Sequence, residues 1–205
     1  MNQTAPTTPQ ILLPRAPCVV AMVGRAQLLT TDGELQDMTA REAAGLLRAG
    51  PAPILVHAPA TLKRLGMRSI PCLDLLELFA FAKPAVSVAP TPRGLALALD
   101  LPKAITSAGL LPDIAQALLA FLAAGRNLPG NRDAPAIAAR MGQAGWGWAP
   151  FVLAALGAPE AKPNTDALRV WKSLPEWMAR TFRLCWQICQ CRREGTYPLC
   201  LCKKQ

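Results

Sequence analysis

The residues able to do chemistry are few and far apart. The 205-residue chain has one histidine, His57, and one tyrosine, Tyr197. His57 closes the apolar run Ile54-Leu55-Val56. A histidine at a strand end can serve as a base or a metal ligand. No carboxylate or cysteine lies within four residues of it, so it reads first as a partly buried structural group. Asp32 and Glu34 have the D-x-E spacing of two-metal phosphodiester chemistry. Asp32-Gly33, however, reads as a hairpin turn, where strand alternation no longer aims both carboxylates one way. Asp74 and Glu77 have the D-x-x-E spacing of a helix start. Lys63, Arg64 and Arg68 form a basic cluster beside a short helix and could touch phosphates; a solvated helix face is the simpler reading.

Counting excludes other chemistries. The four serines include none in G-x-S-x-G, and no Gly-Lys dipeptide exists, so there is no G-x-x-x-x-G-K-[ST] phosphate loop. Four of the five tryptophans lie in Gly145-Trp146-Gly147-Trp148-Ala149-Pro150 and Trp171-Lys172-Ser173-Leu174-Pro175-Glu176-Trp177. Exposed aromatics in a basic groove stack on bases. Trp146 and Trp148 have only Gly, Ala and Pro beside them, which points to burial between helices.

The net charge is +9, unevenly spread. Residues 179–205 hold six basic side chains, one acidic one and five of the seven cysteines, with a single alanine. The remaining 178 residues are only mildly basic, at +4, and hold 35 alanines. Cys185, Cys189, Cys191, Cys200 and Cys202 suffice in number for a tetrahedral zinc site, which makes a zinc-binding interaction protein one alternative reading. An altered reading frame would explain the same break in composition. Overall, 52% hydrophobic residues and a mean hydropathy of +0.23 indicate a packed body. No apolar run reaches the ~18 residues of a membrane span, and no secretory signal is read at the start. The expectation is a cytoplasmic protein with no membrane partner.

Four parts are expected: a flexible leader over 1–16, an α/β domain over 17–110, a helical annex over 111–178, and the basic, Cys-rich tail over 179–205, disordered or non-native. Strands are read at 18–23, 27–30, 34–38 and 54–56, with a further short one around Val86 and Val88. Thr39-Ala40-Arg41-Glu42 is a capping box opening a helix to residue 49. Further helices are read at 60–65, 75–82, from Thr91-Pro92 onward, and at 112–124, 134–141, 150–156 and 166–172.

Several of these segments together resemble the N-terminal region of DinG-type ATP-dependent DNA helicases of alphaproteobacteria. The carriers are Ile54-Leu55-Val56-His57-Ala58-Pro59, Cys72-Leu73-Asp74-Leu75-Leu76-Glu77-Leu78-Phe79-Ala80-Phe81, Pro90-Thr91-Pro92-Arg93-Gly94-Leu95-Ala96, Trp148-Ala149-Pro150 and Leu174-Pro175-Glu176-Trp177. The resemblance implies a degenerate DnaQ-like exonuclease domain: an RNase H-like mixed α/β sheet with flanking helices. Such exonucleases carry D-x-E on the first strand, where residues 18–23 hold no acid. They carry H-N-x-x-F-D later, where Ala58 and Leu62 replace the asparagine and the aspartate. The last H-x4-D or Y-x3-D motif has no counterpart. The resemblance thus implies a catalytically silent, nucleic-acid-associated front part of a helicase, with no complete active site. DNA is the expected partner, the basic cluster Lys63, Arg64 and Arg68 read above supplies its candidate contacts, and a helicase motor is expected in cis. ATP and Mg²⁺ belong to that motor alone; no catalytic, cofactor or metal residue is assigned here. The other alternative, an active metal-dependent 3′–5′ exonuclease, requires His57, Asp32, Glu34 and Asp74 to converge.

Overall fold

The computed structural model describes residues 10–101, 108–128 and 131–164, all within one compact unit, Met1–Asn164. The helix expected over 166–172, Trp171, Trp177 and the cysteine tail lie outside the described residues.

The sheet has five strands in the order β3-β2-β1-β4-β5. β1 (Cys18–Ala21) pairs antiparallel with β2 (Arg25–Leu29), and β2 antiparallel with β3 (Leu35–Thr39). On its other side β1 pairs parallel with β4 (Ile54–Leu55), and β4 parallel with β5 (Leu73–Asp74). β2 is therefore the one reversed strand. The β2–β3 turn is the expected one: Gly33 sits at φ +88°, where a side chain would be strained, and its N–H bonds the Thr30 carbonyl.

Strand alternation divides the interior in two. Val19, Ala21, Leu28 and Leu55 face one core, closed by α1 (Ala40–Ala49) and α2 (Ala58–Arg64). Cys18, Ile54, Val56 and Leu73 face the other. That second core is covered by α3 (Leu75–Ala82), α4 (Pro92–Ala98), α5 (Leu110–Gly125), α6 (Ala134–Gln143) and α7 (Ala149–Ala155). Its centre is α5, which buries Leu111, Ile114, Ala115, Leu118, Leu119 and Leu122 at helical spacing. Helices α5–α7 share this core with α3 and α4.

Local chemistry accounts for the helix starts. At α1 the Thr39 hydroxyl accepts from the Glu42 N–H at 3.2 Å, and the Glu42 carboxylate accepts from the Thr39 N–H at 2.9 Å. These bonds hold the Glu42 carboxyl below its usual range. Thr91 caps α4 through the Gly94 N–H, with Pro92 at its first position.

Two expectations change. Residues 22–24 do not extend β1; they form a tight turn, with Gly24 at φ +70° and the Met22 N–H bonded to the Arg25 carbonyl. Val23 is therefore 94% exposed. The segment around Val86 and Val88 pairs with no strand among the described residues; Ala85, at φ +67°, turns the chain just before it. β5 has two residues, too few for a period to show in the sequence. In the expected leader, residues 10–16 are irregular, and the Gln10 N–H is tied to the Ala154 carbonyl of α7 at 3.1 Å.

Candidate functional site

The chain leaves β1 towards β2 and β3 on one side and returns to β4 and β5 on the other. Such a reversal opens a crevice at the carboxyl ends of the parallel strands, where α/β proteins place ligands. A cleft of about 340 Å³ lies there. It is lined by residues 19–23 of β1 and its turn, by Val56, Thr61 and Arg64, and by residues 90–92 at the start of α4.

One buried carboxylate shapes the wall beside it. Asp74, 4% exposed at the end of β5, accepts from the His57 and Leu76 N–H groups on Oδ1, each at 2.9 Å, and from the Ala58 N–H on Oδ2 at 2.6 Å. His57 itself offers α2 no side-chain cap. Asp74 therefore caps two helices, α2 through Ala58 and α3 through Leu76. It also holds His57 in the left-handed region at φ 56°. The Asp74 carbonyl accepts from the indole N–H of fully buried Trp148 at 2.9 Å. Thr61, buried on α2, donates to the Val56 carbonyl at 2.7 Å. Asp74 is thus an architectural residue, its oxygens taken up by backbone groups.

Glu77 does not close the expected box over Asp74; α3 has only the Asp74 cap. Burial, and then the Asp74 charge, push the Glu77 carboxyl up. The indole N–H of Trp146 opposes that rise but falls short of a hydrogen bond, and it is buried with no partner among the described residues. Trp146 packs on Phe81 at 5.1 Å between ring centroids, and Trp148 on Phe151 at 6.0 Å. Both tryptophans are held against the body, not presented to a groove. Burial pushes the Cys18 thiol up to about 12. Burial and the neighbouring carboxylates of Asp74 and Glu77 push the Cys72 thiol up to about 11.

The acids that two-metal chemistry would need are not brought together. Leu29 pairs with Cys18, so the β2–β3 turn carrying Asp32 and Glu34 lies at the amino end of β1. His57, Asp74 and the cleft lie at the carboxyl ends of β1, β4 and β5. The two ends are separated by the length of β2, about 13 Å at a strand's rise per residue. Among the described residues no group of three His, Cys, Asp or Glu side chains could hold a metal ion.

Lys63 and Arg64 end α2, and Arg68 follows it; all three are exposed, and Arg64 reaches the cleft. The sequence reading missed the cleft itself. Its signals were present in the short strand stopped by Gly24 and in Pro90-Thr91-Pro92, but nothing local shows that these segments meet.

Fold and site define an α/β protein with a mixed five-strand sheet and an apolar cleft at its topological switch point. No family model, curated protein or solved structure matches the chain. Among the described residues no helix is long and apolar enough to cross a membrane.

Proposed function

We propose that the chain is a catalytically silent, nucleic-acid-associated accessory domain, the front part of a DinG-type ATP-dependent DNA helicase acting in the cytoplasm. The observation that carries the reading is the sheet. A mixed sheet whose reversed strand lies between two strands that run parallel to each other suits an RNase H-like domain. At the carboxyl end of its first strand, where such an exonuclease needs acids, this chain has Ala21, Met22 and Val23. The opposite placement of Asp32 and Glu34 argues against an active exonuclease. The zinc-binding alternative rests on cysteines outside the described residues.

Lys63, Arg64 and Arg68 would hold backbone phosphates without reading sequence. Single-stranded oligothymidylate binding, measured by anisotropy across a salt series, tests this. Three phosphate contacts predict a log–log salt slope of about −2. Lys63→Glu, Arg64→Glu and Arg68→Glu together should flatten it. No binding at low salt, or an unchanged slope in the triple variant, refutes the DNA contact.

A further inference from the structure

Three stretches of chain meet at the cleft, and each comes from an acid-free part of the sequence. No Asp or Glu precedes Asp32, lies between Glu42 and Asp74, or lies between Glu77 and Asp100. Each stretch also brings an exposed arginine. Arg64 lines the cleft, Arg25 follows the Met22–Val23 turn, and Arg93 follows Pro92. Among the described residues none of these three guanidinium groups has a hydrogen-bond or ion-pair partner. Arg64 is the cation in the cleft lining and no acid is among the described lining residues, so its unpaired charge favours an anionic ligand there. Arg25 and Arg93 are the next cations along the chain from the other two stretches, with Thr39 and its bonded Glu42 across the sheet from Arg25.

The cleft between them is aliphatic. Val19, Ala21 and Val56 are buried in its wall, and Met22 and Val23 stand at its margin, 45% and 94% exposed. A single exposed valine is ordinary, but here it borders a concave apolar site. Among the described residues no aromatic ring lines the cleft, so these supply none of the platforms on which bases stack. The Thr61 hydroxyl is committed to Val56, and that of Thr91 accepts from Gly94. Adaptable Met, Val and Pro surface suits an inserted apolar side chain. At about 340 Å³ the site is near the small end of ligand clefts. That matches the anchor of a short peptide better than a globular face.

We propose that this cleft captures an acidic linear peptide of a partner protein. An aliphatic or aromatic side chain enters beside Val23 and Val56. Flanking Asp or Glu residues pair with Arg64 and with Arg25 and Arg93 on either side. Nucleic acid is the competing occupant. It shares Arg64 with the peptide but has no use for Val23.

The full chain is probed with a peptide array whose central residue is Leu, Ile, Phe or Trp and whose flanks are Asp/Glu, Ser/Gly or Lys. The best peptides and an oligothymidylate are then titrated by anisotropy. Binding should require both the apolar centre and the acidic flanks. Val23→Asp and Arg64→Glu should each weaken the peptide about tenfold or more. Both positions are exposed, so neither change threatens folding. Arg126→Glu, outside the cleft, should alter affinity less than about twofold. Oligothymidylate affinity that is unmoved by Val23→Asp would agree with the proposal, whether that affinity is high or absent. Three results would overturn it: no preference for acidic flanks, peptide affinity unchanged by Val23→Asp, or oligothymidylate affinity that collapses with Val23→Asp.

Discussion

The Asp74 carboxylate accepts from His57, Ala58 and Leu76, so an asparagine there must turn an amide donor towards at least one N–H group. Asp74→Asn should cost about 2–3 kcal/mol, the loss of a charged acceptor plus an unsatisfied buried donor. Urea unfolding by circular dichroism measures it, and wild-type stability would remove the architectural role. The D-x-x-E spacing made the cap on α3 legible. The bonds to His57 and Ala58, 17 and 16 positions away, leave no local mark and could not be read. Glu77 gives a second test. Its folded carboxyl is raised by burial and by Asp74, so the native state holds its proton more tightly than the unfolded chain does. Stability from this group is therefore present at low pH and is lost as pH rises from the ordinary glutamate range through the raised value. The stability difference between Glu77→Gln and wild type should move in the variant's favour between about pH 4 and pH 7. A difference that is flat across that range contradicts the placement of Glu77.

Among the elements, capping chemistry was the most readable feature, because it is confined to a few consecutive residues. The box at Thr39 and the Thr91-Pro92 start both stand where the spacing puts them. The long apolar period of α5 was equally plain. Two-residue strands were not, since a period needs more residues than β5 possesses. Gly94 shows a different limit. A Cβ there would collide with the backbone carbonyl and the Cβ of Ala89. The glycine of Pro90-Thr91-Pro92-Arg93-Gly94 is thus demanded by a chain reversal just before the helix. Gly45, inside α1, has nothing within 4 Å of the same position. Gly94→Ala should destabilise by about 1–3 kcal/mol, as backbone must shift to admit the methyl. Gly45→Ala should stabilise by up to about 1 kcal/mol, because it removes the entropic penalty of a helical glycine. Thermal unfolding of the two variants side by side tests the contrast; equal shifts would dismiss the close approach at Ala89.

At the scale of the whole molecule the two cores lie on opposite faces of the same strands. Val19 and Leu55 belong to one and Cys18 and Ile54 to the other. Neither core can lose its sheet face while the other stays intact, so the described body should unfold in one cooperative step. The unbroken apolar run of β1 was readable as a strand, whereas the closing of five helices over one face was not, because it depends on contacts far apart in sequence. The cysteines supply the probe. Cys18 belongs to the core under α5, and Cys72 packs against the core under α1 and α2. Their thiols are pushed up to about 12 and about 11, so in the folded protein at pH 8 hardly any reactive thiolate exists on either. Unfolding returns each to an ordinary thiol and exposes it. Pulsed alkylation across a urea series, read peptide by peptide by mass spectrometry, should give one midpoint for both residues. That midpoint should coincide with the loss of far-ultraviolet circular dichroism. If Cys72 became reactive at distinctly lower urea than Cys18, the layer under α1 and α2 would be a separate folding unit, and the shared-strand argument would fail.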